Sequence, residues 1–210
     1  MASRDVDVVI DASEILGEGP VWVDDSLWWV DIEGHRIHRT DPDTGQDRVI
    51  QLDDPIGSVI PRATGGWVAG VTDGVAIIAS DGTEERRIPI ESADLATAAV
   101  EHRQPLIEVG AEKGLPDGMT VDADGCMWVA FWGGSCVRRY DPIGHLMRVV
   151  ELPVSLVTSC TFGGKDLDQL FITTASVGLN DSERAAQPLA GAVFRVDPGV
   201  RGTPASYFAA

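Results

Sequence analysis

Residues 17–42 read GEGPVWVDDSLWWVDIEGHRIHRTDP, and residues 115–142 read LPDGMTVDADGCMWVAFWGGSCVRRYDP. Both spell one template: a Gly/Pro turn, a short apolar strand, an Asp- or Gly-rich turn, a Trp-led strand and a third strand. It recurs at 57–82 (GSVIPRATGGWVAGVTDGVAIIASDG). It returns, interrupted, from Thr158 (TSCTFGGKDLDQLFITTA) to residues 191–198 (GAVFRVDP). The second strands start near Trp28, Trp67, Trp128 and Phe171, at intervals of 39, 61 and 43 residues. A period near ~40 with several short strands per unit marks a β-propeller blade. The sequence therefore predicts one all-β domain over residues 1–210. Its blade-like repeats fall at about 17–55, 56–91, 114–154 and 155–198, with an irregular junction at about 92–113.

Local chemistry agrees with that period. Leu27–Val30, Cys126–Ala130 and Leu170–Thr173 are β-branched and aromatic, as strands prefer. Asp24-Asp25-Ser26 and Asp122-Ala123-Asp124-Gly125 bound them, and such residues tolerate tight hairpin angles. The second tetrad lacks the bidentate Glu of a calcium loop, so it reads as a hairpin. No long helix is evident. Ser92 to Val100 could start one with Ser92 as its cap, and Leu179 to Leu189 reads as an exposed loop.

Composition narrows function. The chain has 210 residues, 44% hydrophobic and 23% charged, with a net charge of −17. Those fractions are ordinary for a globular domain. The charge argues against nucleic acid and against an anionic membrane surface. No apolar run approaches a membrane span, and Asp5 and Asp7 stand where a signal peptide needs apolar residues. The expectation is a soluble, cytoplasmic protein. Cys126, Cys136 and Cys160 form neither a disulfide framework nor a zinc pattern. Cys160 is expected to lie buried on an inner strand. His35, His38, His102 and His145 are scattered, and His35 and His38 flank Ile37 on a strand with at least one facing solvent. Arg62 and Trp132 read as packing or surface residues.

The remaining candidates are acids at strand entries. Glu18 in L-G-E-G-P and Asp117 in L-P-D-G-M hold equivalent places in the first and third repeats. Propellers gather such positions around a central channel. Two carboxylates converging there repel unless a cation neutralises them, and hard cations prefer oxygen ligands. By spacing alone, the reading of these residues as turn formers is the stronger one.

Three segments, LGEGPVW (16–22), LPDGM (115–119) and TSCTFGG (158–164), resemble the gluconolactonase family, also called the senescence-marker-protein or regucalcin family. WWVDI (28–32), VAFWGG (129–134) and LFITT (170–174) fall in the matching order, so the likeness runs from Leu16 to Pro198. The resemblance implies a six-bladed propeller with one divalent cation (calcium, zinc, magnesium or manganese) in its channel, hydrolysing sugar lactones or related esters. It implies that Glu18 and Asp117 are metal ligands and that Asp117 is the base that activates water; substrate-binding residues stay unassigned. The chain departs from the family in having only about four recognisable blades. The family's two asparagine-bearing loops are absent, and Asn180, the single asparagine, comes too late to replace them. An internal deletion of about two blades accounts for this. Its consequences are a lost amide ligand and exposed blade faces open to homo-oligomerisation. The alternative reading is a non-catalytic propeller remnant or binding scaffold.

Overall fold

The computed structural model describes residues 6–89, 106–110 and 114–209. The chain folds into four four-stranded antiparallel sheets. The first comprises β2 (Gly17–Val23), β3 (Ser26–Asp31), β4 (Arg36–Asp41) and β5 (Gln46–Gln51). The second comprises β6 (Ile56–Pro61), β7 (Trp67–Val71), β8 (Gly74–Ile78) and β9 (Glu84–Pro89). The third comprises β10 (Leu115–Val121), β11 (Met127–Trp132), β12 (Cys136–Tyr140) and β13 (Leu146–Glu151). Each is a meander of hairpins. Asp24 and Asp25 both take positive φ, 49° and 54°, the backbone hand that a two-residue hairpin needs.

The fourth sheet is assembled from both ends of the chain. It contains β14 (Val157–Gly163), β15 (Gln169–Thr174) and β16 (Val193–Val196), and its outer strand is β1 (Val6–Ile10), paired antiparallel to β16. The repeat template begins only at Gly17 and carries no sign of this strand. Between β15 and β16 the structure corrects the expectation of a plain loop: α1 (Asp181–Ala186) is helical. The Asn180 side chain accepts from the Glu183 N–H while the Glu183 carboxylate accepts from the Asn180 N–H, a reciprocal capping box. Six residues are too few to show helical periodicity. The expected helix from Ser92, and most of the 92–113 junction, lie outside the described residues.

The sheets meet in the order second, first, fourth, third. β2 packs on β6, and also on β14 and β15, while β14 packs on β10 and β11. Among the described residues no comparable packing joins the second sheet to the third. Among the described residues the four sheets are thus joined at three junctions. Aromatic side chains fill the three closed junctions. Trp28 meets Trp67 with centroids 3.9 Å apart, Trp22 stacks on Phe171 at 5.4 Å, and Trp128 presents its edge to Phe162 at 5.9 Å. Phe171, Trp29 and Trp128 are fully buried, and truncating such an aromatic to alanine costs about 3–5 kcal/mol.

A buried polar chain runs across β3, β4 and β5 within the first sheet. Trp29 Nε1 donates to Thr40 Oγ1 (3.0 Å), Thr40 donates to Asp47 (2.8 Å), and His38 Nδ1 meets the other Asp47 oxygen at 2.7 Å. His38 is 1% exposed and stacks on Trp29, so of the two histidines it is His35 that reaches solvent. His35 lies outside β4, in the preceding turn at φ 55°, partly exposed. Beyond His38 lies Glu14, on the β1–β2 connection, bound by Arg36 at 2.7 Å. The DADG segment is a hairpin, as expected. Its Asp122 is buried and accepts from the Cys126 N–H, Trp128 Nε1 and Arg139 Nε.

Candidate metal and hydrolase site

The four strands that carry the contacts between sheets, β2, β6, β10 and β14, share one irregularity. Their register slips after Glu18, at Gly57, across Asp117–Gly118 and at Thr158. A β-bulge at corresponding positions of all four sheets bends the strand and re-aims a side chain, as bulges beside functional sites do. Two of the four carry an acid at the bulge, Glu18 and Asp117.

β14 runs between them. Thr158 is fully buried; its hydroxyl donates to the Gly17 carbonyl at 2.6 Å and meets Thr173 Oγ1 at 2.9 Å. That ties the residue before Glu18 to the fourth sheet. On the other side Gly118 lies against Ser159 so closely that a Cβ would collide with it. Glycine is therefore required beside Asp117 for close approach rather than for an unusual backbone angle. Cys160 is buried on the same strand, as expected. Burial, and then the Glu18 charge, push its thiol up to about 12, against an opposing hydrogen bond with the Thr120 backbone. A thiol held protonated and donating to the Trp128 carbonyl is no nucleophile.

Both acids are partly buried. Burial raises the Glu18 carboxyl to about 7; the Gly19 N–H, donating at 2.9 Å, opposes this, and the Asp117 charge adds to it. Asp117 is raised by burial against the Gly118 N–H. Among the described residues no third His, Cys, Asp or Glu joins them to form a metal-sized group. The donors present are hard carboxylate oxygens short of positive charge, which suits a divalent cation completed by neutral oxygens or water. Asn180 is committed to its helix cap, and Arg62 to an ion pair with Glu85 at 3.0 Å. Trp132 forms an isolated bridge with Leu156. The Thr158 lock was missed in the sequence because a threonine in TSCTFGG carries no sign of a partner 141 residues away.

The fold is that of propeller blades, four antiparallel sheets of which two carry an acid at a bulge in the first strand. Residues 16–88 and 81–176 match the family described as SMP-30/Gluconolactonase/LRE-like region, and the chain belongs to that family. It is 32% identical to the pentonolactonase XacC of Haloferax volcanii, over 93% of this chain and 95% of that protein. It is 26% identical to human regucalcin, over 99% of each. The structure of a calcium-binding regucalcin from Agrobacterium tumefaciens shares the fold with a TM-score of 0.82, at 20% identity and 97% coverage of both chains. The alignments to XacC and human regucalcin run over 277 and 299 residues, more than the 210 present here. The relatives' fold is a six-bladed ring, of which this chain has four sheets.

Proposed function

We propose that this chain hydrolyses sugar lactones or related esters, with Glu18 and Asp117 holding one divalent cation and Asp117 serving as the base. The observation that carries this is the pair of bulge carboxylates flanking β14, one of them raised to about 7 partly by the charge of the other. The named activities of the relatives, pentonolactonase and gluconolactonase, support the substrate class. A bound divalent cation, whether calcium, zinc, magnesium or manganese, would act as a Lewis acid toward the lactone carbonyl and make the attacking water more acidic.

Asp117 takes the proton from the water as its oxygen bonds to the carbonyl carbon. It returns that proton to the ring oxygen when the ester bond breaks, leaving a hydroxy acid. Its raised pKa makes it a stronger base than a solvated aspartate. Glu18 contributes a ligand oxygen only when ionised, so cation affinity falls as pH drops through about 7. The Thr158 bond to the Gly17 carbonyl and the Gly118–Ser159 contact hold the two acids in place.

Acid release from gluconolactone and pentonolactones tests the reading. Chelator should abolish the rate and added metal restore it, and Asp117→Asn should lower it at least ~10²-fold. Equal rates in all samples refute the mechanism. If calorimetry also finds no micromolar binding of calcium, zinc or manganese, the chain is the non-catalytic scaffold instead.

A further inference from the structure

The segment that follows β16 leaves the fourth sheet and touches two others. A turn at Asp197–Gly199 launches it: the Asp197 carboxylate accepts from the Gly199 N–H at 2.7 Å, and Gly199 takes a φ of 70°. Arg148, on β13 of the third sheet, holds that turn by donating to the Pro198 and Asp197 carbonyls at 2.6 and 3.1 Å. Gly202 is then buried between the third and fourth sheets. It forms an antiparallel bridge with Asp122 and donates to the Leu167 carbonyl at 2.8 Å, while the Ala123 N–H donates to the Arg201 carbonyl at 2.8 Å. A Cβ on Gly202 would run into the Phe162 side chain, so close approach is what requires glycine here.

Six residues further on, the chain reaches the second sheet. Phe208 forms a parallel bridge with Arg62; its N–H donates to the Pro61 carbonyl at 2.9 Å, and its carbonyl accepts from the Ala63 N–H at 3.1 Å. Tyr207, beside it, lines a cavity of about 200 Å³ with Trp28, Trp67 and Arg62. Between the two anchors Thr203, Pro204 and Ser206 are exposed. Such a stretch spans ~20 Å at most, and its proline stiffens it.

By sheet packing, the second sheet reaches the third only through intermediates among the described residues: it packs on the first, the first on the fourth, and the fourth on the third. We propose that residues 199–208 are a strap that ties the second sheet directly to the third and fourth, with a fixed end at Gly202 and a releasable end at Phe208. The difference lies in burial. The Gly202 end is enclosed between two sheets, and its hydrogen bonds break only when those part. The Phe208 end is held by two backbone hydrogen bonds beside a side chain that is 46% exposed. Two such bonds favour the fastened state by only ~10- to 10²-fold, so that end opens roughly 1–10% of the time. Release loosens the second sheet while every junction between sheets stays intact.

Amide hydrogen exchange on the full chain, resolved by NMR, reads each end separately. The Ala63 and Phe208 amides should be protected ~10- to 10²-fold and exchange together, and those of Ala123 and Gly202 should exchange at least ~10-fold more slowly still. Phe208→Pro removes the N–H given to Pro61 and leaves the Gly202 end untouched. It should abolish protection at Ala63 and speed exchange in β6, β7 and β8 by ~10-fold or more, with β11 and β15 unchanged. A chain ending at Gly202 should do the same, and it stands in if proline disturbs the β6–β7 turn. Phe208 and Gly202 amides that exchange at one rate, or β6–β8 amides that exchange as in wild type in both variants, would each overturn the inference.

Discussion

Replacing Glu14 with glutamine should flatten the dependence of stability on pH. Glu14 is 6% exposed and faces Asp31, Arg36, His38 and Asp47. Its carboxyl is pushed up to about 8, first by burial, then by the hydrogen bond and charge of Asp31; Arg36 opposes this and Asp47 adds to it. The unfolded group titrates near 4.5. Between those values the folded chain keeps a proton that the unfolded chain has released, so folding weakens as pH rises, by about 1.4 kcal/mol per pH unit. The full window amounts to about 5 kcal/mol at most, or a melting point lower by roughly 10–15 °C for a domain of this size. Asp31 acts outside that window. Burial works against it, but hydrogen bonds from Glu14 and from the Leu16, Gly34 and Ile15 N–H groups hold it below the usual range. Its contribution is lost only on acidification below about 4. Glu18 adds a loss of the same sign up to about pH 7. Thermal melts by circular dichroism in chelator, from pH 5 to 8.5, should show wild type and Glu14→Gln nearly equal at pH 5. At pH 8.5 the variant should be the more stable, with less than about two-thirds of the wild-type slope. Parallel curves, or a variant weaker at pH 8.5, would refute the assignment of a proton to Glu14.

Asp122→Ala removes the acceptor for Trp128 Nε1 and one of the two carboxylates paired with Arg139, Asp124 remaining at 2.9 Å. The expected loss is about 1–3 kcal/mol, a melting point lower by roughly 5 °C. Gly118→Ala forces β10 away from Ser159. An overpacking cost of about 1–3 kcal/mol should come with weaker metal binding in calorimetry, the second effect being larger than for Gly57→Ala, where a Cβ meets open space. Removing residues 1–10 uncovers the edge of β16. The truncated chain should aggregate on dilution from denaturant, while hydrogen exchange rises first in Val193–Val196.

Much of the molecule is legible in the linear order of residues. Turn acids and glycines at a repeating distance from Trp28, Trp67, Trp128 and Phe171 are local signals, because hairpin geometry is set by neighbours in sequence. They suffice for an all-β propeller, and the LGEGPVW, LPDGM and TSCTFGG segments for its family. The equivalence of Glu18 and Asp117 follows from the same alignment. What joins distant parts of the chain was not legible there. The pairing of Val6–Ile10 with β16, the Thr158 bond that fixes the backbone beside Glu18, and the burial of Glu14 against Asp31 and His38 each unite residues whose separation follows no local rule. The aromatic pairs that fill the junctions, Trp28 with Trp67, Trp22 with Phe171 and Trp128 with Phe162, exist only once the sheets are stacked. Strand and turn are decided by short-range sterics, whereas the charge state of an acid and the joining of sheets are decided by what burial brings against them.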